Sequence, residues 1–270
     1  MSLMPALRAQ LFLLARDRAT LFWAFGFVPA VFVSFTAAFS FLPAEGLGPV
    51  GATVDPLLTA ARSAAVGGNP IAHLFAALGA AAIFGGEYRY STWRLIGPRA
   101  ARHRLFTAKW CSFVLAATVS LAVVVAGSGV VVWLSALVRP SLHLAVETRP
   151  ASLAAAFGVS VLELAVLGTV TALLVISARA RLGPVLAVFL FSAAQALAES
   201  YAPPPPTSGP WLLLPTYAGD VARQWALPPP GLPAPGDAAG LVAILSLGGW
   251  CAVGAGLAVW LMRRQDWSRE

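Results

Sequence analysis

Six apolar runs decide what this chain can fold into. They lie at about 21–42, 71–86, 110–138, 151–178, 184–200 and 239–262, and most of the charge is confined to the breaks between them. A helix needs about 20 apolar residues to cross the hydrocarbon core of a bilayer. In lipid every backbone N–H and C=O must be satisfied within the protein, which a helix does by itself. Only 11% of residues are charged and 59% are hydrophobic, whereas a soluble domain carries about 25% charged residues. The chain therefore reads as an all-α membrane protein: one transmembrane domain over 1–270 with six transmembrane helices in the lipid bilayer.

The first run is too long for a signal-peptide core, typically about 7–15 residues, and reads as a retained span. Before it, residues 3–20 have Leu7, Leu11 and Leu14 at helical spacing with Arg8, Arg16, Asp17 and Arg18 on other faces, the pattern of an amphipathic surface helix. Residues 43–70 are broken by Gly and Pro and read as a loop, with room for a short helix at Leu57–Ala65. In the second run Ala72, Ala76 and Ala80, and again Ala77, Ala81 and Gly85, recur every fourth residue. Small residues at that spacing let helices approach closely. Gly248, Ala252 and Gly256 repeat the pattern in the last run. The prolines of 201–238 rule out a continuous helix there, leaving Thr216–Trp225 as one short amphipathic helix at the interface.

Charge sets the orientation. Fourteen of the eighteen Lys and Arg residues fall on the side of the N-terminus: Arg8, Arg16 and Arg18; six within 85–109; Arg179 and Arg181; and Arg263, Arg264 and Arg269. Arg62, Arg139, Arg149 and Arg223 fall on the other. This positive-inside bias puts both termini in the cytosol. It also accounts for the net charge of +7 without a nucleic-acid partner.

Several chemistries are excluded. Cys111 and Cys251 lie at different membrane depths and give no disulfide, and His73, His103 and His143 form no metal-ligand cluster with them. A P-loop needs a lysine after a Gly-rich turn, but the one lysine, Lys109, follows Leu105-Phe106-Thr107-Ala108. The chain is therefore not an ATPase by itself. Gly127-Ser128-Gly129 has no histidine base on a later run and reads as a flexible or close-packed helix site rather than a serine nucleophile. Glu163 is the one acid well inside a run. Such a group is costly in lipid; it is a candidate for a translocation path or a proton relay, and equally for a hydrogen bond to another span. Glu199 reads as interfacial and His73 as a satisfied structural histidine.

The segment 85–109 has more than anchoring charge. It reads Gly86-Glu87-Tyr88-Arg89 at the end of the second run, then Ser91-Thr92, Leu95, Pro98-Arg99, Arg102, Arg104-Leu105 and Ala108-Lys109. With Leu214-Pro215-Thr216-Tyr217-Ala218-Gly219 before the last run and Arg263-Arg264-Gln265-Asp266 after it, this resembles the permease subunits of type-2 ATP-binding cassette (ABC) transporters. Ser91 stands where the family more often has Gly, Trp93-Arg94 is bulkier than the family's usual pair, and Gln265 interrupts its Arg-Arg-Asp ending. The resemblance implies a dimer, of two copies or with a paralogue, in a bacterial-type cytoplasmic (inner) membrane. It implies two separate ABC ATPase subunits per complex and usually export of a substrate. No cofactor is expected in this chain, and ATP would act through the partner. Glu87, Tyr88, Arg89, Thr92, Arg94, Arg99, Arg102 and Arg104 are then the expected ATPase-coupling residues. An ion-coupled secondary transporter using Glu163, or a non-transporting membrane scaffold, is the alternative.

Overall fold

The fold is described from a computed structural model. It covers residues 3–41, 53–90, 101–139, 142–201, 209–229, 231 and 233–265, without the side chains of Glu87, Arg89 and Tyr90. Helix α1 (Leu3–Arg16) ends at Asp17, and α2 (Arg18–Phe41) follows at once. Asp17 accepts from the Thr20 hydroxyl (2.6 Å) and amide (3.0 Å), and these bonds hold its carboxyl below the usual range. The start of α2, Leu21–Gly26, is wound as a π-helix.

The loop expected at 43–70 contains α3 (Pro56–Ser63), which continues as a 3₁₀ turn, Ala64–Gly68. It meets α4 (Pro70–Tyr90) at a bend of 62°. Beyond this come α5 (Arg102–Val138), α6 (Pro150–Ala178), α7 (Leu182–Tyr201), α8 (Pro215–Ala226) and α9 (Asp237–Arg264). Among the described residues α2, α5, α6, α7 and α9 are long and apolar enough to cross a membrane, and the bent α3–α4 pair makes a sixth if taken as one element.

Two differences from the sequence reading have plain causes. The second span is helical well beyond 71–86, and it is preceded by a half-length helix that Asn69-Pro70 turns aside. The third begins at Arg102 rather than 110, because nothing in Arg102–Lys109 breaks a helix. Arg102, Arg104 and Lys109 therefore ride on the first turns of α5.

The central helix is α6, packed by α4, α5, α8 and α9. The alanine ladder of α4 is its inner face: Ala72, Ala76, Ala77, Ala80 and Ala81 are all buried. Large apolar side chains such as Phe35, Phe39, Leu190 and Leu245 are exposed around the bundle, as a lipid-facing surface requires. Gly127 and Gly129 lie close against Val33 and Ala60, and Ser128 is fully buried, in keeping with close packing there. The Gly248–Ala252–Gly256 stripe behaves differently from the ladder of α4. It lines an open groove of about 620 Å³ between α5 and α9.

Contacts define two ends. Tyr88, Arg102, Ile176 and Gln265 meet at one; we call it the terminal face because α9 finishes there. At the other, Asp55 caps α3, accepting from Leu57 N and Leu58 N, and also accepts from the amides of Glu147 and Thr148. A two-residue parallel bridge, Thr53–Val54 with His143–Leu144, lies beside it.

Candidate functional site

Two polar constellations stand out in an otherwise apolar bundle. The first is a clasp at the terminal face. Tyr88, in the last turn of α4, donates its hydroxyl to Gln265 Oε1 (2.9 Å). Gln265 Nε2 donates in turn to the Ile176 carbonyl of α6 (2.7 Å). Arg102 Nη1 donates to the carbonyls of Met262 and Arg263 (2.6 Å each). These lie in the last turn of α9, where helix carbonyls lack intrahelical donors and attract cations. Lys109 is 1% exposed and donates to the Ile83 carbonyl of α4 (2.6 Å). It is therefore not one of the surface charges that the sequence leads one to expect: its long chain is folded inward between α4 and α5. Arg181 lies with its side chain against Gly85, where a Cβ would meet its Cγ at 2.7 Å.

The expected coupling residues thus divide. Glu87 and Arg89 sit in the last turns of α4, with side chains outside the description. Thr92, Arg94 and Arg99 lie outside the described residues. Tyr88 and Arg102 hold helices together, and Arg104 is exposed on the first turn of α5.

The second constellation surrounds Glu163, at mid-length in α6 and 1% exposed. The sequence showed no partner for it. The structure supplies one: the guanidinium of Arg223 on α8 pairs with Glu163 Oε2 and with Asp220 Oδ1. By sequence Arg223 belongs to the short amphipathic helix Thr216–Trp225 at the interface, on the side away from the termini. It is 7% exposed instead, because α8 is tucked into the bundle against α6, α7 and α9 with Thr216–Gly219 and Val221–Arg223 buried. Two glycines make room. A Cβ on Gly219 would stand 2.6 Å from Glu163 Oε2, and one on Gly68, at the α3–α4 bend, would collide with the Arg223 guanidinium.

His73 completes the group, as a satisfied histidine. Its Nε2 lies 2.7 Å from the Gly67 carbonyl and its Nδ1 2.5 Å from Ser192 Oγ on α7. A carbonyl only accepts, so Nε2 carries the hydrogen and Nδ1 accepts from the serine. Gln195 Oε1, on α7, accepts from the Thr216 amide of α8 (3.2 Å). The cluster therefore ties α4, α6, α7 and α8 together. A separation of 60 residues hid the Glu163–Arg223 pair; the one available signal was an arginine three residues after Asp220 in a helix with a marked apolar face.

Among the described residues no group of three or more His, Cys, Asp or Glu side chains is arranged to hold a metal ion. Both cysteines are free. Long apolar helices, an apolar exterior and polar groups paired inside define the class: a multi-pass, all-α membrane protein. No protein-family model matches the chain, and none of the curated proteins searched matches it.

Proposed function

We propose that this chain is the membrane-spanning subunit of an ATP-driven ABC exporter. It would pair with a second copy or a paralogue, and two separate ATPase subunits would dock on the segment 85–109 on the cytosolic side of a bacterial-type inner membrane. One observation carries the reading: the residues that resemble the family's permeases sit at the α4–α5 joint, and that joint is fastened to the other helices. Tyr88 and Arg102, flanking the connection, reach α9, and Gln265 extends the link to α6. A push on the short stretch between Tyr90 and Arg102 would move four helices as a unit. The exposed cationic Arg104 suits an acidic docking surface. Lys109, the one lysine, is buried against α4 and is unfit to bind nucleotide phosphate, so hydrolysis falls to a partner. On this reading α1 is the amphipathic helix at the cytosolic surface.

The test is co-purification of the tagged chain with the P-loop ATPase encoded nearest to it. Arg99→Glu and Arg104→Glu are expected to lower the ATPase yield several-fold while membrane insertion stays unchanged. Unchanged ATPase yield in both variants would sink the coupling role.

The buried Glu163 keeps one second reading in view, a transporter driven by an ion gradient. It predicts ATP-independent transport that is lost in Glu163→Gln.

A further inference from the structure

The apolar exterior of the bundle is not smooth. A groove of about 540 Å³ between α3, α5 and α6, and another of about 730 Å³ between α1, α2 and α5, have no charged side chain in their walls. The groove of about 620 Å³ between α5 and α9 does: Arg263, exposed in the last turn of α9, lines it.

Its polar groups are gathered at that end, near the Arg102 cap. Thr107 lines the groove and donates its hydroxyl to the His103 carbonyl of its own helix (2.9 Å). Trp110 also lines it, but its indole N–H is spent inside, on Thr169 Oγ1 of α6 (2.8 Å). Arg263 is thus the donor that the groove offers to a ligand. A second cation stands at the rim, where the Arg264 guanidinium lies 4.1 Å from the centre of the Trp260 ring. Among the described residues the last turn of α9 and the first turn of α5 contain no acid to neutralise them.

Further along, the groove is apolar but for the Cys251 thiol, and roomy. A Cβ on Gly248 or Gly256 would meet nothing within 4 Å. From Arg263 to Gly248, both in its wall, is 15 residues of helix, about 22 Å at a rise of about 1.5 Å per residue. Half a bilayer, headgroup region included, is about 20–22 Å. The groove therefore runs from the membrane surface at the terminal face to the middle of the bilayer, with its charge at the surface end.

A single lipid molecule has this layout: an anionic head at the surface and an apolar tail reaching the midplane. A second copy of the chain suits the groove poorly. Two copies with their termini on the same side, related by a twofold axis along the membrane normal, would set Arg263 against Arg263, and such like-charge contacts are costly.

We propose that the α5–α9 groove binds an anionic phospholipid of the leaflet at the terminal face. The phosphate accepts from the Arg263 guanidinium, with Arg264 adding charge attraction. One acyl chain lies along Gly256, Ala252 and Gly248. The lipid fills the space that these small side chains leave and joins the first turns of α5 to the end of α9.

The experiment is native mass spectrometry of the full chain in detergent, titrated with phosphatidylglycerol, with zwitterionic phosphatidylcholine and with inorganic phosphate. The first equivalent of phosphatidylglycerol is expected to bind more tightly than that of phosphatidylcholine, and excess phosphate should not displace it. Arg263→Gln should weaken phosphatidylglycerol about fivefold and leave phosphatidylcholine nearly unchanged. Gly256→Phe, which puts a ring into the groove, should weaken both lipids. Arg8→Gln, an exposed arginine on α1, and Gly249→Phe, on α9 but outside the groove lining, should bind like the wild type. Should Gly256→Phe fail to fold, the exposed Arg263→Gln decides. Equal binding of the two lipids by the wild type, or an equal loss in Arg8→Gln and Arg263→Gln, would overturn the proposal. So would displacement by phosphate, which marks a bare anion site, or a dimer that Gly256→Phe splits while lipid binding persists, which marks a subunit seam. No ATPase enters the measurement, so its outcome is independent of the coupling role.

Discussion

Arg102 and Met262, 160 residues apart, are joined where α5 begins and α9 ends: the guanidinium lies 2.6 Å from the Met262 carbonyl and equally close to that of Arg263. An arginine that sequence alone assigns to a docking surface is thus the C-terminal cap of the last helix. Charge-assisted hydrogen bonds of this kind contribute about 1.5–3 kcal/mol. Arg102→Ala is expected to lower thermal stability in detergent by that order, and Arg8→Ala, at an exposed position of α1, by clearly less. Equal losses for the two would show that the cap contributes nothing.

The Glu163–Arg223 pair predicts a non-additive pattern. Removing one member of a buried ion pair costs about 3–5 kcal/mol, whereas replacing both by apolar residues of similar size is often neutral. Arg223→Met and Glu163→Leu should each destabilise strongly, and the double variant that combines them should recover most of the loss. Denaturant unfolding of the two single variants and the double variant measures this. A double variant as unstable as the sum of the singles would contradict the pairing.

Close approach at glycine gives a third test. Gly219→Ala forces a Cβ to within 2.6 Å of Glu163 Oε2, and overpacking of this kind costs about 1–3 kcal/mol. Gly248 has nothing within 4 Å of where its Cβ would stand. Gly248→Ala should therefore leave the melting temperature unchanged within error, while Gly219→Ala lowers it.

Asp55 supplies a pH dependence. Partial burial pushes its carboxyl up, but hydrogen bonds from Thr148, Leu58 and Glu147 outweigh this and bring it below the usual 3.8. A lowered folded-state value means the stabilisation is complete above 3.8 and is lost as the pH falls through the lower, folded-state value. Hydrogen exchange at Leu57, Leu58, Glu147 and Thr148 should accelerate together in that acidic window. In Asp55→Ala, which removes an N-cap worth about 0.5–2 kcal/mol, those amides should be fast already at neutral pH.

Sidedness can be read directly. In a background with Cys111 and Cys251 replaced by serine, His103→Cys lies on an exposed position of α5, and Leu213→Cys on one that is 64% exposed before α8. A membrane-impermeant maleimide applied to intact cells should label Leu213→Cys and spare His103→Cys. The reverse pattern would invert the orientation drawn from charge.

The helices themselves were legible because their period and length are local properties. Apolar runs placed α6, α7 and α9 to within two residues at each end, and Pro210 and Pro215 announced the break before α8. The alanine spacing of α4 correctly marked a buried face. What sequence could not show is which polar groups meet. The short helix around Arg223 was legible, but at the interface, because nothing in its sequence shows that it folds back into the bundle, and Lys109 looked like surface charge because a lysine's reach says nothing of direction. The candidate coupling residues were visible as a cluster, but the division between those that fasten helices and those left facing outward depends on Gln265 and Met262, more than 150 residues away.

Lys109 has a practical consequence. It is the one lysine of the chain, and it is sealed between α4 and α5. Acylating reagents and amine cross-linkers therefore find no lysine side chain on the folded surface, and partners of this protein are better captured through its carboxylates or introduced thiols. The same burial turns Lys109 into a reporter: its rate of acylation, read by mass spectrometry, times how often α4 and α5 part.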